Sequence, residues 1–172
     1  RDVNWEDVQA TVIRELGGGK CRIGVGGLTH GPDDFPTSHR NAVLALNLVS
    51  GKAGDHPVVA FDDLGVYRLL ASTLGSSEIE KFMTQWLGPL LEYDERRNSD
   101  LVLTLYRYLE CGGRYDETAE ALLIHRSTLR YRLQRIRDIS QLPIGEADVN
   151  FNLQLACRAW STRKALRSPG WR

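Results

Sequence analysis

Between His125 and Arg137 the chain places five arginines (Arg126, Arg130, Arg132, Arg135, Arg137) and no acid, with Ser127, Thr128, Tyr131 and Gln134 set among them. Guanidinium groups bond phosphates and guanine edges in pairs of hydrogen bonds, while hydroxyl and amide side chains reach phosphates or base edges. The residue types therefore suit contact with a nucleic acid. A short basic run is also what a solvated helix face looks like, so the arrangement has to decide. With Leu129 placed at zero and about 100° per residue, Leu133 falls near 40° and Ile136 near −20°, one narrow apolar stripe. Ser127, Arg130, Tyr131 and Gln134 fall between about 100° and 200°, on the opposite face. Arg126 and Arg137 lie on one flank, Arg132 and Arg135 on the other. Groups able to read base edges are thus central, with cations beside them to meet phosphates, and the positive end of the helix dipole would face the backbone.

Several of these residues have a plainer reading. Arg132 lies nearest the apolar stripe and pairs as easily with Glu117 or Glu120. Tyr131 suits half-buried packing at an interface, and Arg137 suits either phosphate contact or solvation. His125 sits in a turn where it can cap or pack. The DNA-contact candidates are His125, Arg126, Ser127, Thr128, Arg130, Tyr131, Gln134 and Arg135, with Arg126, Ser127, Arg130 and Gln134 foremost.

The elements that position them follow from the stretch DETAEALLIHRSTLRYRLQRIRDIS. A first short helix, with Asp116 as N-cap, points Ala119, Leu122 and Leu123 inward, and small Ala119 permits a close helix crossing. A tight turn around Ile124–Arg126 leads into the second helix, Ser127–Ile139. This is the pattern of a helix-turn-helix whose second helix, about 127–139, enters the major groove.

The rest of the chain supplies the frame. Trp5 to Leu16 reads as an amphipathic helix (Trp5, Val8, Val12, Leu16) stopped by Gly17-Gly18-Gly19. Cys21–Val25 and Val58–Phe61 read as strands, THGPDDFPTS as a loop, and a helix runs from an N-cap at Thr37 or Ser38 to Val49. Gly51–Pro57 is a turn region, and Leu64–Leu74 is helical. Gly75-Ser76-Ser77 is the best domain boundary. Beyond it lie helices only: Ser77–Trp86, Asp100–Glu110, Asp116–Leu122, Ser127–Ile139 and Ala147–Leu166, with breaks at Gly88-Pro89, Gly112-Gly113 and Pro143-Ile144-Gly145.

Other chemistry finds no support. The GVGG run at 24–27 is followed by neither GK[ST] nor a helix opening on the glycines, so it reads as a strand-end turn. Asp33-Asp34 and Asp62-Asp63 sit where Asp caps and turns, and no GG[DE]EF stretch exists for cyclase chemistry. The four histidines lack metal spacing; His30 and His39 read as solvated. Cys21, Cys111 and Cys157 are neither a disulfide framework nor a CxxC pair, and Cys111 and Cys157 read as buried structural thiols. No nucleophile, base and acid form a set, so the chain is not read as an enzyme, and no cofactor or metal is expected.

Composition agrees with a folded protein: 172 residues, 42% hydrophobic and 26% charged, with 22 basic and 22 acidic residues. That balance hides an asymmetry, since residues 1–100 carry 10 basic and 15 acidic side chains and residues 101–172 carry 12 and 7. An acidic half joined to a basic half is what a nucleic-acid module attached to another domain produces. No apolar run approaches the roughly 20 residues of a membrane span. The charged start RDVNWEDVQA is no signal peptide, so a cytoplasmic location without membrane association is expected; the missing initiator Met points to a fragment or processed chain.

The run LLIHRSTLRYRLQRI closely resembles the C-terminal helix-turn-helix of PucR/CdaR-type bacterial transcription regulators, a domain that looks related to the Fis-type helix-turn-helix. The resemblance extends upstream through LGPLLEYDERRNSDLVLTLYRYLECGGRYDETAEAL and downstream into NFNLQLACRAW. RIGVGGLTHGPDDFPTSHRNAVLALNL and VVAFDDLGVYRLL resemble, more weakly, the second half of the GGDEF-like domain that precedes it. Leu123 departs from the general motif, standing where many carry the turn glycine, and a wider turn is expected there. The resemblance implies an α+β N-terminal fragment, partial GGDEF-like, followed by an all-α helix-turn-helix domain, mostly helical overall. Residues 1–75 would be the GGDEF-like remnant, 76–97 a helical linker and 98–172 the DNA-binding domain. It implies a sequence-specific regulator that binds double-stranded operator DNA as a homodimer and responds to a small-molecule effector, as relatives sense purine-pathway compounds or sugar diacids. The competing reading is a degenerate metabolite- or nucleotide-binding module whose helical tail mediates protein assembly.

Overall fold

The computed structural model describes residues 3–49, 58–73 and 76–167. Among them the chain forms eight α-helices and one two-stranded parallel sheet, an α+β N-terminal part followed by helices. They fall into two compact units. One draws on the chain up to Ser72 and from Ser161 onward; the other runs from Thr73 to Trp160. The Gly51–Pro57 turn and the Leu74-Gly75 end of the expected third helix and boundary lie outside the described residues.

In the first unit, helix α1 (Trp5–Glu15) is capped by Asn4, whose Oδ1 accepts the N–H groups of Glu6 and Asp7 at 3.1 and 3.4 Å. Its apolar spacing is real, yet none of its residues is buried, and Trp5, Val8 and the C-capping Leu16 stand exposed. Strand β1 (Ile23–Val25) pairs in parallel with β2 (Val58–Ala60) in the register Ile23↔Val58. Parallel strands need a crossover, and α2 (Phe35–Val49) lies in it.

The glycines of the GVGG run explain the closeness of that packing. A Cβ on Gly24 would collide with the Ala42 carbonyl, and one on Gly26 with the Ser38 carbonyl. They therefore admit α2 onto β1, a role in packing. Helix α2 begins two or three residues before the expected N-cap at Thr37 or Ser38, behind a 3-10 turn over Pro32–Asp34. Pro36 falls in the first turn, where a missing N–H costs nothing. The Ser38 hydroxyl instead donates to the Gly27 carbonyl at 2.9 Å. After β2, a 3-10 turn (Phe61–Leu64) and Gly65 lead into α3 (Val66–Thr73), where Leu69 of the expected apolar set is exposed. Leu44, Leu48 and Tyr67 form the unit's small core with Ala165, whose carbonyl accepts from Asn47 Nδ2 at 2.8 Å.

The second unit is helical. Helix α4 (Ser77–Arg97) runs unbroken through Gly88-Pro89, where the sequence suggests a break after Trp86. Pro89 removes one backbone donor, but Leu87 and Leu90 on either side of it are fully buried, and their burial offsets the loss. Helix α5 (Leu101–Glu110) is capped from a distance. The Asp94 carboxylate accepts from Ser99 Oγ (2.6 Å) and from the N–H groups of Leu101 (2.8 Å) and Val102 (2.9 Å). Cys111 caps the end of this helix and is only half-buried, unlike Cys157, which is fully buried.

Helices α6 (Tyr115–Ala121), α7 (Arg126–Ser140) and α8 (Ala147–Arg167) follow. The N-cap of α6 is Arg114; Asp116 lies in the first turn, where a carboxylate meets the positive end of the helix without capping it. Leu87, Leu90, Leu105, Leu133, Ile136 and Leu153 are among the side chains that meet in one core. No helix among the described residues is long and apolar enough to cross a membrane.

Candidate nucleic-acid interface

The α6–α7 turn is set by Leu123, which adopts φ +53° and is 92% exposed. The expectation that it points inward is therefore wrong. A leucine here occupies the left-handed conformation that a glycine usually supplies, so the turn keeps its tight form. Its closing bonds are Leu123 N–H to the Glu120 carbonyl (3.0 Å) and Ile124 N–H to the Ala119 carbonyl (3.0 Å). Ala119 is buried, and Leu122 and Ile124 pack partly buried against the core.

Helix α7 starts on a histidine cap. His125 Nδ1 accepts the Ser127 N–H at 3.3 Å and lies 2.8 Å from Ser127 Oγ. An acceptor at Nδ1 puts the proton of the neutral ring on Nε2. On one side of α7, Leu129, Leu133 and Ile136 are fully buried. On the other, His125, Arg126, Ser127, Thr128, Arg130, Tyr131, Gln134 and Arg135 are all exposed, Tyr131 by 68%.

The arginines divide by what holds them. Arg126 reaches back to α6, with Nη1 2.9 Å from Asp116 Oδ1 and the guanidinium 6.0 Å from the centroid of the Tyr115 ring. Arg135 lies over Tyr93 of α4 at 5.3 Å, and its Nε donates to the tyrosine hydroxyl at 3.4 Å. Arg132 is half-buried and donates to Thr104 Oγ1 at 3.2 Å, so it pairs with neither Glu117 nor Glu120. Arg137 is also half-buried; its charge opposes the upward push that burial and Tyr115 give the Tyr108 hydroxyl. Arg130 has no ion-pair or hydrogen-bond partner among the described residues, and is the free cation of the exposed face. Gln134 Nε2 donates to Asp138 Oδ1 at 2.9 Å, leaving its amide oxygen as an acceptor.

Such a face offers guanidinium, hydroxyl, amide and imidazole groups from one rigid helix, which fits the roughly 12 Å width of a B-DNA major groove. Asp116, Tyr93 and Thr104, which hold Arg126, Arg135 and Arg132, escape sequence reasoning. Tyr93 is 42 residues from its arginine, and no periodicity links them. No group of three or more potential metal-ligating residues exists among the described residues.

Comparison with known proteins extends this picture. Residues 101–159 match the PucR C-terminal helix-turn-helix domain, and residues 1–48 match a GGDEF-like domain. The DNA-binding transcriptional activator AdeR of Bacillus subtilis is 26% identical over 134 residues, 77% of this chain and 32% of that protein. The carbohydrate diacid regulator of Escherichia coli is 27% identical over 147 residues, covering 85% and 37%. The transcriptional activator PmfR of Paenarthrobacter nicotinovorans is 38% identical over 88 residues, covering 51% and 18%. The chain thus spans between 17% and 37% of the length of the curated relatives it matches.

Proposed function

The chain carries a PucR-type helix-turn-helix behind part of a GGDEF-like domain, the arrangement of PucR/CdaR-type regulators, and from that premise we propose that it regulates transcription by binding operator DNA sequence-specifically. Helix α7 is the recognition helix and lies in the major groove. The observation that carries this reading is the division of α7: Leu129, Leu133 and Ile136 are fully buried, while the opposite face and its flanks hold seven exposed polar or aromatic residues around Arg130, which has no partner among the described residues.

Roles follow from partners. Arg130 and Gln134, central and outward, read base edges; Ser127, Thr128 and Tyr131 meet bases or sugars beside them. Arg126 and Arg135, gripped by Asp116 and Tyr93, meet phosphates in a fixed posture, because a held guanidinium loses less rotamer freedom on binding. His125 caps the helix end that faces the backbone. Of the expected division, 1–75 acts as the GGDEF-like remnant and 98–172 supplies the DNA-binding helices, while 76–97 acts as part of the DNA-binding unit, whose core takes Leu87 and Leu90, and Ser161 onward belongs with the first unit. A single helix-turn-helix has little contact area, so the regulator works in the cytoplasm as a homodimer on two half-sites about 34 Å apart. An effector repositions the paired recognition helices.

Fluorescence anisotropy with promoter DNA from the protein's own locus, at two salt concentrations, tests this. Wild type binds with a steep salt dependence, and an Arg126→Ala/Arg130→Ala variant loses binding. Salt-independent behaviour, or an unaffected variant, favours the assembly-module reading instead.

A further inference from the structure

A cleft of about 720 Å³ opens to solvent in the first unit, between α2 and α3. Its size lies in the range of small-molecule sites, about 300–1,000 Å³. Much of the lining is apolar: buried Leu44, half-buried Phe61, and Leu69 and Leu166, which are 68% and 44% exposed. Three charged side chains join them. Arg68 and Asp62 pair at 3.3 Å, and the Arg68 guanidinium lies 5.5 Å from the Phe61 ring centroid, so these two charges cancel. Arg40 pairs with no carboxylate among the described residues; its Nη2 donates to Thr37 Oγ1 at 3.3 Å. Asn41, the next residue of α2, lines the cleft with an amide that has no hydrogen-bond partner among the described residues.

Among the described residues the lining therefore carries one positive charge with no carboxylate partner, unused amide donors beside it, and an aromatic and aliphatic wall. We infer that the cleft binds a small organic monoanion, a carboxylic acid with an apolar body. The carboxylate is taken by Arg40 and Asn41, and the body lies against Phe61, Leu69 and Leu166. One guanidinium without a carboxylate partner among the described residues matches one carboxylate, whose two oxygens suit its remaining N–H donors. A nucleotide or polyphosphate needs more cations, or a glycine-rich backbone cradle, and of the GVGG run Gly24 and Gly26 are already filled by the approach of α2. A neutral apolar ligand would cover Arg40 and Asn41 without satisfying them. This inference stands apart from the DNA-binding reading.

The test is calorimetric titration of the 172-residue chain with 4-phenylbutyrate and, separately, with its neutral amide, 4-phenylbutanamide. The acid is expected to bind saturably at one site and the amide about tenfold more weakly. Arg40→Gln weakens the acid about tenfold, and Leu69→Ser weakens acid and amide alike, about threefold. Both residues are exposed, and unchanged circular dichroism confirms that the variants fold. Equal binding of acid and amide, an unaffected Arg40→Gln variant, absence of saturable acid binding, or displacement of the acid by equimolar inorganic phosphate overturns the inference.

Discussion

Replacing Leu123 with glycine should stabilise the second unit, although it removes a large hydrophobic side chain. At φ +53° a residue with a Cβ bears about 1–2 kcal/mol of strain that glycine does not. At 92% exposure the leucine side chain contributes almost no burial to set against that. Glycine gives back about 0.5–1 kcal/mol through the greater freedom of the unfolded chain. The net gain is about 0–1.5 kcal/mol, centred near 0.75 kcal/mol, which is a rise of roughly 3–6 °C in Tm at the centre for a unit of this size. The assay is thermal and urea unfolding of wild type, Leu123→Gly and Leu123→Ala. The alanine variant keeps the Cβ and should sit within about 0.5 kcal/mol of wild type. If Leu123→Gly lowers the midpoint, or Leu123→Ala costs more than about 1 kcal/mol, the side chain is packed and the account of the turn is wrong.

His125→Ala removes the N-cap of α7 and should cost about 1 kcal/mol in urea unfolding, with His125→Asn restoring most of it. Asp94→Ala deletes three hydrogen bonds at the start of α5 and should cost about 2 kcal/mol, read the same way. Cys157 should resist an aromatic disulfide reagent until the protein unfolds, while half-buried Cys21 and Cys111 react first. Burial, and then the Glu110 charge, push the Cys157 thiol up. The folded state therefore holds that proton more tightly than the unfolded chain. The stability this contributes is intact below the ordinary thiol range and falls above about pH 8.5, by up to about 1.4 kcal/mol per pH unit. Urea midpoints across that window should show the fall in wild type and a shallower one in Cys157→Ala.

What the sequence disclosed and what it hid have separate physical causes. The buried stripe Leu129, Leu133, Ile136 is a property of one helix at its own period, so the face opposite could be named residue by residue. The helix from Trp5 was legible for the same reason. Burial of α1 was not, because periodicity states which residues share a face and nothing of what covers them. Gly88-Pro89 looked like a break because local propensity opposes a helix there; Leu87 and Leu90, buried in a core built from distant segments, override it. Asp116 looked like a cap by type and position, and its carboxylate was taken by Arg126 across the turn. Leu123 looked inward-facing by its chemistry, and the backbone turn put it outside. The postures of Arg126, Arg132 and Arg135 depend on Asp116, Thr104 and Tyr93, which only the fold brings near.

On the proposed function, the exposed face of α7 reads the major groove. Methylation interference on an operator fragment tests it, because dimethyl sulfate marks guanine N7 in the major groove and adenine N3 in the minor groove. Premethylated guanines in each half-site should block binding, and at least one guanine should lose its effect in Arg130→Ala, whose guanidinium no longer competes for N7. Interference confined to adenine N3, or a guanine pattern identical in wild type and Arg130→Ala, would contradict the account.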